Sequence, residues 1–376
     1  MGRGKAAITS SIRAGLSSGM QQSRLWRKNE NFSFVGMIND PLADVTMAEH
    51  NTRNNQILQT CLQEIDAEIR TEIAKVGGHQ FGIIAGTSTS GIAEAEEAIL
   101  SSSPGNISHQ YDYKRQEFGS PSSFVRDLLG TTGPCYAIST ACTSSTNAFI
   151  AARRLLQNGL AKAVLVIGAD SLCRTTVEGF IALEAVSSQQ CLPMSANRCG
   201  INIGEASSAF LLTCEPGPIE LLGVGESCDA YHLSSPDPLG NGAEAAMRNA
   251  LKDANLDASE IAYVNLHGTG TIKNDQMEAL AMSRVFPAGV ICSSTKPLTG
   301  HTLGAAGAIE ATLCCLAIFE NIIPPHIWDG QIDPQIPNLR LAAVGEKFPD
   351  NSRRICMTNN FAFGGSNVSL IFGPTR

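Results

Sequence analysis

Cys135-Tyr136-Ala137-Ile138-Ser139-Thr140-Ala141-Cys142-Thr143-Ser144-Ser145 continues through Thr146 to Asn158, stops at Gly159, and resumes as Ala163-Val164-Leu165-Val166-Ile167-Gly168. The first four residues suit a short strand, and the small polar residues after them suit a tight exit from it. Apolar side chains then recur at helical spacing from Thr146 to Asn158, with Gly159 as a natural stop. The unbroken apolar run from Ala163 to Gly168 is what a strand covered on both faces of a parallel sheet requires. The stretch therefore reads as a βαβ unit, and the chain as an α/β protein.

Outward from that unit the same style repeats. Phe81 to Ala85 reads as a buried strand running into the polar turn Gly86-Thr87-Ser88-Thr89-Ser90-Gly91. Ahead of it the spacing predicts helices over 12–21 and 55–76, with a short apolar run from Phe34 to Ile38 between them. Ser101 to Ser123 mixes Ser, Gly, Pro and aromatics and reads as an excursion on the surface or at an interface. Downstream, Ile261 to Leu266 ends at His267, and Val290 to Ser293 leads through a glycine-rich segment to a helix from Ala308 to Phe319. Arg354 to Thr358 and Val368 to Phe372 suit a hairpin. Two similar halves, 1–215 and 216–376, meeting at one site are the simplest architecture for this order. Both place small, reactive residues at the ends of buried strands, where α/β sheets commonly bind ligands.

The 376 residues are enough for a large core, and 43% hydrophobic against 16% charged residues excludes a disordered or coiled-coil chain. With 27 basic and 35 acidic residues and no basic block, nucleic acid is not an expected partner. The 12 cysteines lie mainly in apolar stretches without secretory context and read as reduced core residues. No 18 uninterrupted apolar residues occur, so membrane insertion is not expected and a cytoplasmic location is.

Cys142 differs from the other cysteines in lying where a strand becomes a helix, among Thr, Ser and Ala. Unpaired backbone N–H groups and the helix end would favour its thiolate, although a buried inert thiol is the plainer alternative. His267 opens His267-Gly268-Thr269-Gly270-Thr271, where bulk almost vanishes and a ligand can approach closely. His301 lies just before Leu303-Gly304-Ala305-Ala306-Gly307. Either histidine alone has a structural explanation; with Cys142 they suit covalent catalysis and stabilisation of developing negative charge. Separate strand ends, with no Cys-x-x-Cys pair or His-Glu-x-x-His helix, argue against a metal. No Gly-x-Gly-x-x-Gly or Gly-Lys-Ser/Thr pattern supports a nucleotide, and no cofactor is expected.

Four segments together resemble the β-ketoacyl-[acyl-carrier-protein] synthases, the elongating ketosynthases of the thiolase-like superfamily with a Cys-His-His centre. They are Thr140 to Ser145; His267-Gly268-Thr269-Gly270-Thr271-x-x-Asn274-Asp275-x-x-Glu278; Thr295-Lys296-x-x-x-Gly300-His301-x-x-Gly304-Ala305-Ala306-Gly307; and Asn360-Phe361-Ala362-Phe363-Gly364-Gly365-Ser366-Asn367. The resemblance implies a layered α/β/α/β/α fold of two βαβαβ-type halves. It implies that Cys142 accepts an acyl group, while His267 and His301 assist decarboxylation of a malonyl thioester for a Claisen condensation. Lys296 and Glu310 are then a supporting ion pair, and Asp275 and Glu278 tie the His267 loop in place. Thr269 and Thr271 would bind the pantetheine arm. The N–H groups of Cys142 and Phe363 would form the oxyanion hole, with the Phe363 ring as gate. Fatty acid synthesis and a specialised polyketide or polyene pathway both fit, and a thiolase or an inactive chain-length partner is the alternative.

The same resemblance implies an acyl carrier protein as partner and a homodimer, or a heterodimer with a ketosynthase-like chain. The basic groups expected to meet the carrier are Arg3, Arg13, Arg24, Arg27 and Lys28, or Lys114 and Arg115. The sequence departs from the family in two places. Ala362 replaces the usual glycine and is expected to restrict loop opening or alter chain preference. The start, Met1-Gly2-Arg3-Gly4-Lys5, leads almost directly to a helix, so a central N-terminal strand is expected to be missing.

Overall fold

The computed structural model describes residues 1–24, 32–102, 111–350 and 352–375. Helix α1 (Gly4–Ala14) begins earlier than the spacing suggests and stops at Gly15, which takes φ 63° so that its N–H reaches Ile12 O. Only a residue tolerant of the left-handed region makes that stop cheaply. The tail of the expected helix is instead β1 (Met20–Ser23), paired antiparallel with β2 (Ser33–Gly36). The single helix expected over 55–76 is also two: α2 (Arg53–Leu62), capped by Thr52, and α3 (Asp66–Val76). Ile65 leaves helical geometry between them with no Gly or Pro nearby to mark the break.

The elements β3 (Phe81–Gly86), α4 (Ile92–Leu100), α5 (Ser120–Leu129), β4 (Cys135–Ile138), α6 (Ser144–Gln157), β5 (Ala163–Asp170), α7 (Arg174–Ala182) and β6 (Ala206–Thr213) follow. They build a sheet in the order β4-β3-β5-β6, parallel except for β6. Of the 101–123 excursion, residues 103–110 lie outside the described residues.

The next elements are β7 (Ile219–Cys228), α8 (Asn241–Ala254), β8 (Ile261–Asn265), α9 (Ile272–Val285), β9 (Ile291–Ser293), α10 (Lys296–Thr299), α11 (Ala306–Glu320), β10 (Arg340–Leu341), β11 (Ile355–Phe361) and β12 (Ser366–Pro374). The second sheet runs β10-β9-β8-β11-β12-β7, and its strands β9-β8-β11-β12 repeat the directions of β4-β3-β5-β6.

Helices α6 and α11 lie between the two sheets, sharing one core with Val164, Val166, Cys356 and Leu370. Phe149 of α6 meets Phe210 and Phe372, one from each sheet, edge-on. The Phe149 and Phe372 rings, 1% and 3% exposed, each contribute roughly 1.5–3 kcal/mol. α2, α3 and α5 cover the outer face of the first sheet, and α8 and α9 that of the second. The layering is α/β/α/β/α. Leu303–Glu320 is long and apolar enough to cross a membrane, but 72% of it is buried, as expected of this central helix.

The repeat corrects the expected position of the missing strand. The centre of the first sheet is complete, because β3 pairs with both β4 and β5. In the second sheet β12 carries a further antiparallel strand, β7, on its outer edge. Among the described residues β6 has no such neighbour, so the difference lies at an edge. A sheet edge tolerates loss because its outer N–H and C=O groups can turn to solvent, whereas those at a centre cannot.

Candidate active site

Cys142 stands between β4 and α6, 7% exposed. The turn is tight: Ala141 takes φ 52°, an unfavourable conformation for a residue with a Cβ. Gly86, at the end of β3, makes the turn possible. A Cβ there would sit 2.3 Å from Ser145 N and Cα, so α6 can start against the sheet only over glycine.

The expected thiolate is corrected. Burial pushes the Cys142 thiol up to about 12, outweighing the nearby Lys296 charge. The helix begins only at Ser144, and its field does not offset the loss of water. A neutral thiol at rest needs a proton acceptor, and His301 Nε2 lies 2.9 Å from Cys142 Sγ.

His267 follows strand β8 and His301 follows the short helix α10 that comes after β9, and each is 2% exposed. Their rings are 5.4 Å apart at 85°, and Phe361 lies edge-on to His267 at 5.9 Å. Burial holds both well below the usual histidine range; Lys296 adds to this for both, and His301 further lowers His267. Both are therefore neutral near pH 7 and able to donate one ring N–H each. His301 Nδ1 has no hydrogen-bond partner among the described residues.

Lys296 is buried beside them. Its Nζ donates to Glu310 at 2.6 Å and to His267 O, and lies 3.5 Å from His267 Nδ1. Asn360 Nδ2 donates to the other Glu310 oxygen at 2.6 Å. Glu278 accepts from the N–H groups of His267 (2.8 Å) and Gly268 (2.6 Å), fixing the start of that loop, while burial pushes its carboxyl up to about 8. Asp275 accepts from Gly270 N at 3.2 Å and Met194 N at 2.7 Å. Thr269 and Thr271 meet through their hydroxyls at 2.9 Å.

Phe363 is 39% exposed, its ring 5.5 Å from that of Phe180. Ala362 has φ −111° and ψ 158°, open to any residue; the positive φ values of this loop fall on Gly364 and Gly365. In this conformation the alanine therefore puts no strain on the backbone. Thr143 Oγ1 donates to Ser366 Oγ at 2.9 Å, joining the nucleophile's turn to the loop. That contact, and the one Asn360 makes to Glu310, have no signal in sequence because each joins segments far apart in the chain.

The ligand atoms of Cys142, His267 and His301 all lie within 4.8 Å of one another, a spacing that by itself admits a metal ion. The Lys296 ammonium beside His267 works against a second cation there. Of the basic groups, Arg3 pairs with Glu64 and Arg13 with Glu320, and Arg24 lies 4.2 Å over the Phe32 ring. Arg27 and Lys28 lie outside the described residues, while Lys114 and Arg115 share the turn Tyr113–Gln116.

Comparison with known proteins agrees with this arrangement. Residues 50–215 match the β-ketoacyl synthase N-terminal domain and residues 219–328 the β-ketoacyl synthase C-terminal domain. Nodulation protein E of Rhizobium leguminosarum bv. trifolii is 34% identical over 78% of this chain and 75% of its own length. The 3-oxoacyl-[acyl-carrier-protein] synthase 2 of Vibrio harveyi is 30% identical over 91% and 88%. A chain from the structure of the ketosynthase ApeO in complex with its chain length factor ApeC, from Xenorhabdus doucetiae, superimposes with a TM-score of 0.93. It is 42% identical, covering 99% of this chain and 94% of that one. The ishigamide ketosynthase/chain length factor gives a TM-score of 0.88 at 27% identity, covering 100% of this chain and 96% of that one. With its thiolase-like fold and both domains matched, the chain belongs to the β-ketoacyl synthase family of acyltransferases.

Proposed function

We propose that the protein is an elongating ketosynthase whose Cys142 carries the growing acyl chain. The observation that carries this reading is the convergence of Cys142 Sγ and one nitrogen each of His267 and His301 within 4.8 Å, in a buried site beside Lys296. Cys142 Sγ attacks an acyl thioester on the carrier arm, forming the acyl-Cys142 bond and releasing the carrier thiol, with His301 Nε2 placed to relay the proton. A malonyl thioester then enters past Thr269 and Thr271. Loss of carbon dioxide leaves an enolate, whose oxygen His267 and His301 stabilise through ring N–H groups, each worth about 3 kcal/mol in the transition state, with the His301 proton on Nε2 once acylated Cys142 has no thiol proton to direct at it. The enolate carbon attacks acyl-Cys142 at an oxyanion hole of the Cys142 and Phe363 N–H groups. The Cys142 sulfur leaves as a thiolate and takes one proton from solvent, which balances the loss of the malonyl carboxylate as neutral carbon dioxide.

Lys296 and Glu310 orient His267, Asp275 and Glu278 hold its loop, and Phe363 gates the acyl pocket. The nucleophile belongs to half 1–215 and both histidines to half 216–376. Retention of all three disfavours an inactive chain-length partner. The test is mass spectrometry after incubation with acyl-carrier thioesters of several chain lengths. An acyl adduct on Cys142 is expected; a folded protein left unmodified while a known synthase is acylated would favour the partner role.

We further propose a dimer joined along the outer edge of β4, which pairs with no strand among the described residues and leaves Tyr136 38% exposed. The resemblance to ketosynthases solved with a chain length factor favours a ketosynthase-like partner and a specialised polyketide or polyene pathway in the cytoplasm. Sedimentation at micromolar concentration is expected to give a dimer, alone or with such a partner; a monomer under both conditions would defeat this. For the carrier, Lys114 and Arg115 are the favoured contact, because Arg3 and Arg13 already pair with Glu64 and Glu320, whereas Lys114 is exposed and the half-buried Arg115 donates to a neutral carbonyl, Ala48 O, at 2.7 Å. Reversing both charges is expected to weaken carrier binding about tenfold at low salt and less at high salt. Binding indifferent to both changes would reject the site.

A further inference from the structure

Three of the positive-φ residues that are not glycine, Ser90 (46°), Ala141 (52°) and Leu303 (49°), come from distant parts of the chain, and one buried carboxylate links their segments. Asp170, at the end of β5, is fully buried. Its Oδ1 accepts from Thr87 Oγ1, Ser88 N, Thr89 N and Thr89 Oγ1, each at 2.8 Å, which folds the turn after β3 around it. Its Oδ2 accepts from Ala305 N at 3.0 Å, four residues after His301. The same turn touches the nucleophile's elbow, where Ser88 Oγ donates to Ala141 O at 3.3 Å. The His301 segment also packs on that turn without spare room: a Cβ on Gly304 would lie 2.7 Å from Ser88 Oγ and Thr87 C.

Unfavourable backbone conformations persist only where the surroundings over-determine them. Here the surroundings are five donors gathered on one carboxylate, with one branch reaching Ala141-Cys142 and the other His301-Leu303. We propose that Asp170 is a positioning residue that sets His301 against Cys142, so that Nε2 stands at hydrogen-bond distance from Sγ. It touches neither substrate nor reacting atoms and acts through the two segments it ties. The carboxylate is needed for its acceptors: an amide oxygen can serve one branch, but the amide nitrogen opposite it would face a donor. The charge itself works against the thiolate of Cys142, so geometry is what the residue supplies.

This inference rests on the ketosynthase reading for its catalytic consequence but not for its geometry, so the test carries one readout independent of activity. Asp170→Asn is combined with His301→Ala in a double-mutant cycle, read by iodoacetamide alkylation of Cys142 and by carbon dioxide release from a malonyl-carrier thioester. Any effect of the lost charge on Cys142 is common to both backgrounds and cancels in the cycle. Asp170→Asn is expected to slow both readouts about tenfold when His301 is present and by less than twofold when it is absent. Equal penalties in the two backgrounds would overturn the proposal, whatever their size, because a general loosening of the fold does not depend on His301. If Asp170→Asn does not fold, Thr87→Val removes one donor while leaving the carboxylate, and the same cycle is expected to show about a threefold penalty confined to the His301 background. Carbon dioxide release absent from the parent, with the alkylation cycle as expected, would refute the ketosynthase reading and leave the positioning role standing.

Discussion

Cys142→Ala is expected to abolish acyl-enzyme formation while still releasing carbon dioxide from a malonyl thioester, and the histidine variants are expected to do the reverse. Alanine supplies no nucleophile, but it leaves a space that His267 and His301 still border, at a ring separation of 5.4 Å. Both histidines are neutral because burial and the Lys296 charge disfavour their protonated forms, so each keeps an N–H to offer an enolate oxygen. Losing one such donor costs about 3 kcal/mol, on the order of a hundredfold in rate. His267→Ala should therefore release carbon dioxide about a hundredfold more slowly with acylation largely retained. His301→Ala should lose a similar factor and also acylate more slowly, since Nε2 stands 2.9 Å from Sγ. Labelled acyl transfer and labelled carbon dioxide release, with folding checked for each variant, separate these outcomes. Parental carbon dioxide release in both histidine variants would show that neither stabilises the enolate.

Glu310→Ala is expected to lower the stability of the fold by about 3–5 kcal/mol, among the largest effects any single substitution here should have. Lys296 and Glu310 are almost fully buried, their ion pair is 2.6 Å long, and Asn360 donates to the second carboxylate oxygen. Removing the acid leaves an ammonium in a site from which water is excluded, held among the described residues by the His267 carbonyl and near its ring. Replacing both members by apolar residues, as in Lys296→Met with Glu310→Leu, should recover most of the loss, because a well-packed apolar pair is often as stable as a buried ion pair. The double variant should fold and yet decarboxylate poorly, as the His267 ring then loses the Lys296 ammonium beside Nδ1 while Glu278 still holds the start of its loop. Denaturant unfolding measures the stabilities. A deficit below about 1 kcal/mol for Glu310→Ala would mean that water reaches the pair, and its role as a rigid support would fail.

Much of this protein is local in origin, and local features are legible in sequence. The βαβ unit around Cys142 follows from three adjacent signals, an apolar run, a helical period and a terminating glycine, and β4, α6 and β5 formed within two residues of those bounds. The motifs around His267 and His301 are equally compact, because loops that approach a ligand closely must be built from small residues. Shorter-range conflicts were less visible: the break between α2 and α3 carries no Gly or Pro, and Gly15 ended α1 within a pattern that otherwise continued.

What only the tertiary structure decided is everything that depends on which distant segments share a small, dry volume. The thiol of Cys142 is raised, although the local position of the residue suggested the opposite, because burial is a property of the whole fold and outweighs a helix end two residues away. The open strand position lies at the edge beyond β6, as became evident once the second sheet supplied β7 for comparison. Asn360 on Glu310, Thr143 on Ser366 and Asp170 on Ala305 are ordinary polar residues in the chain. Folding removes the water that would otherwise satisfy them, and each must then find its partner across the interface of the two halves or between segments far apart in sequence.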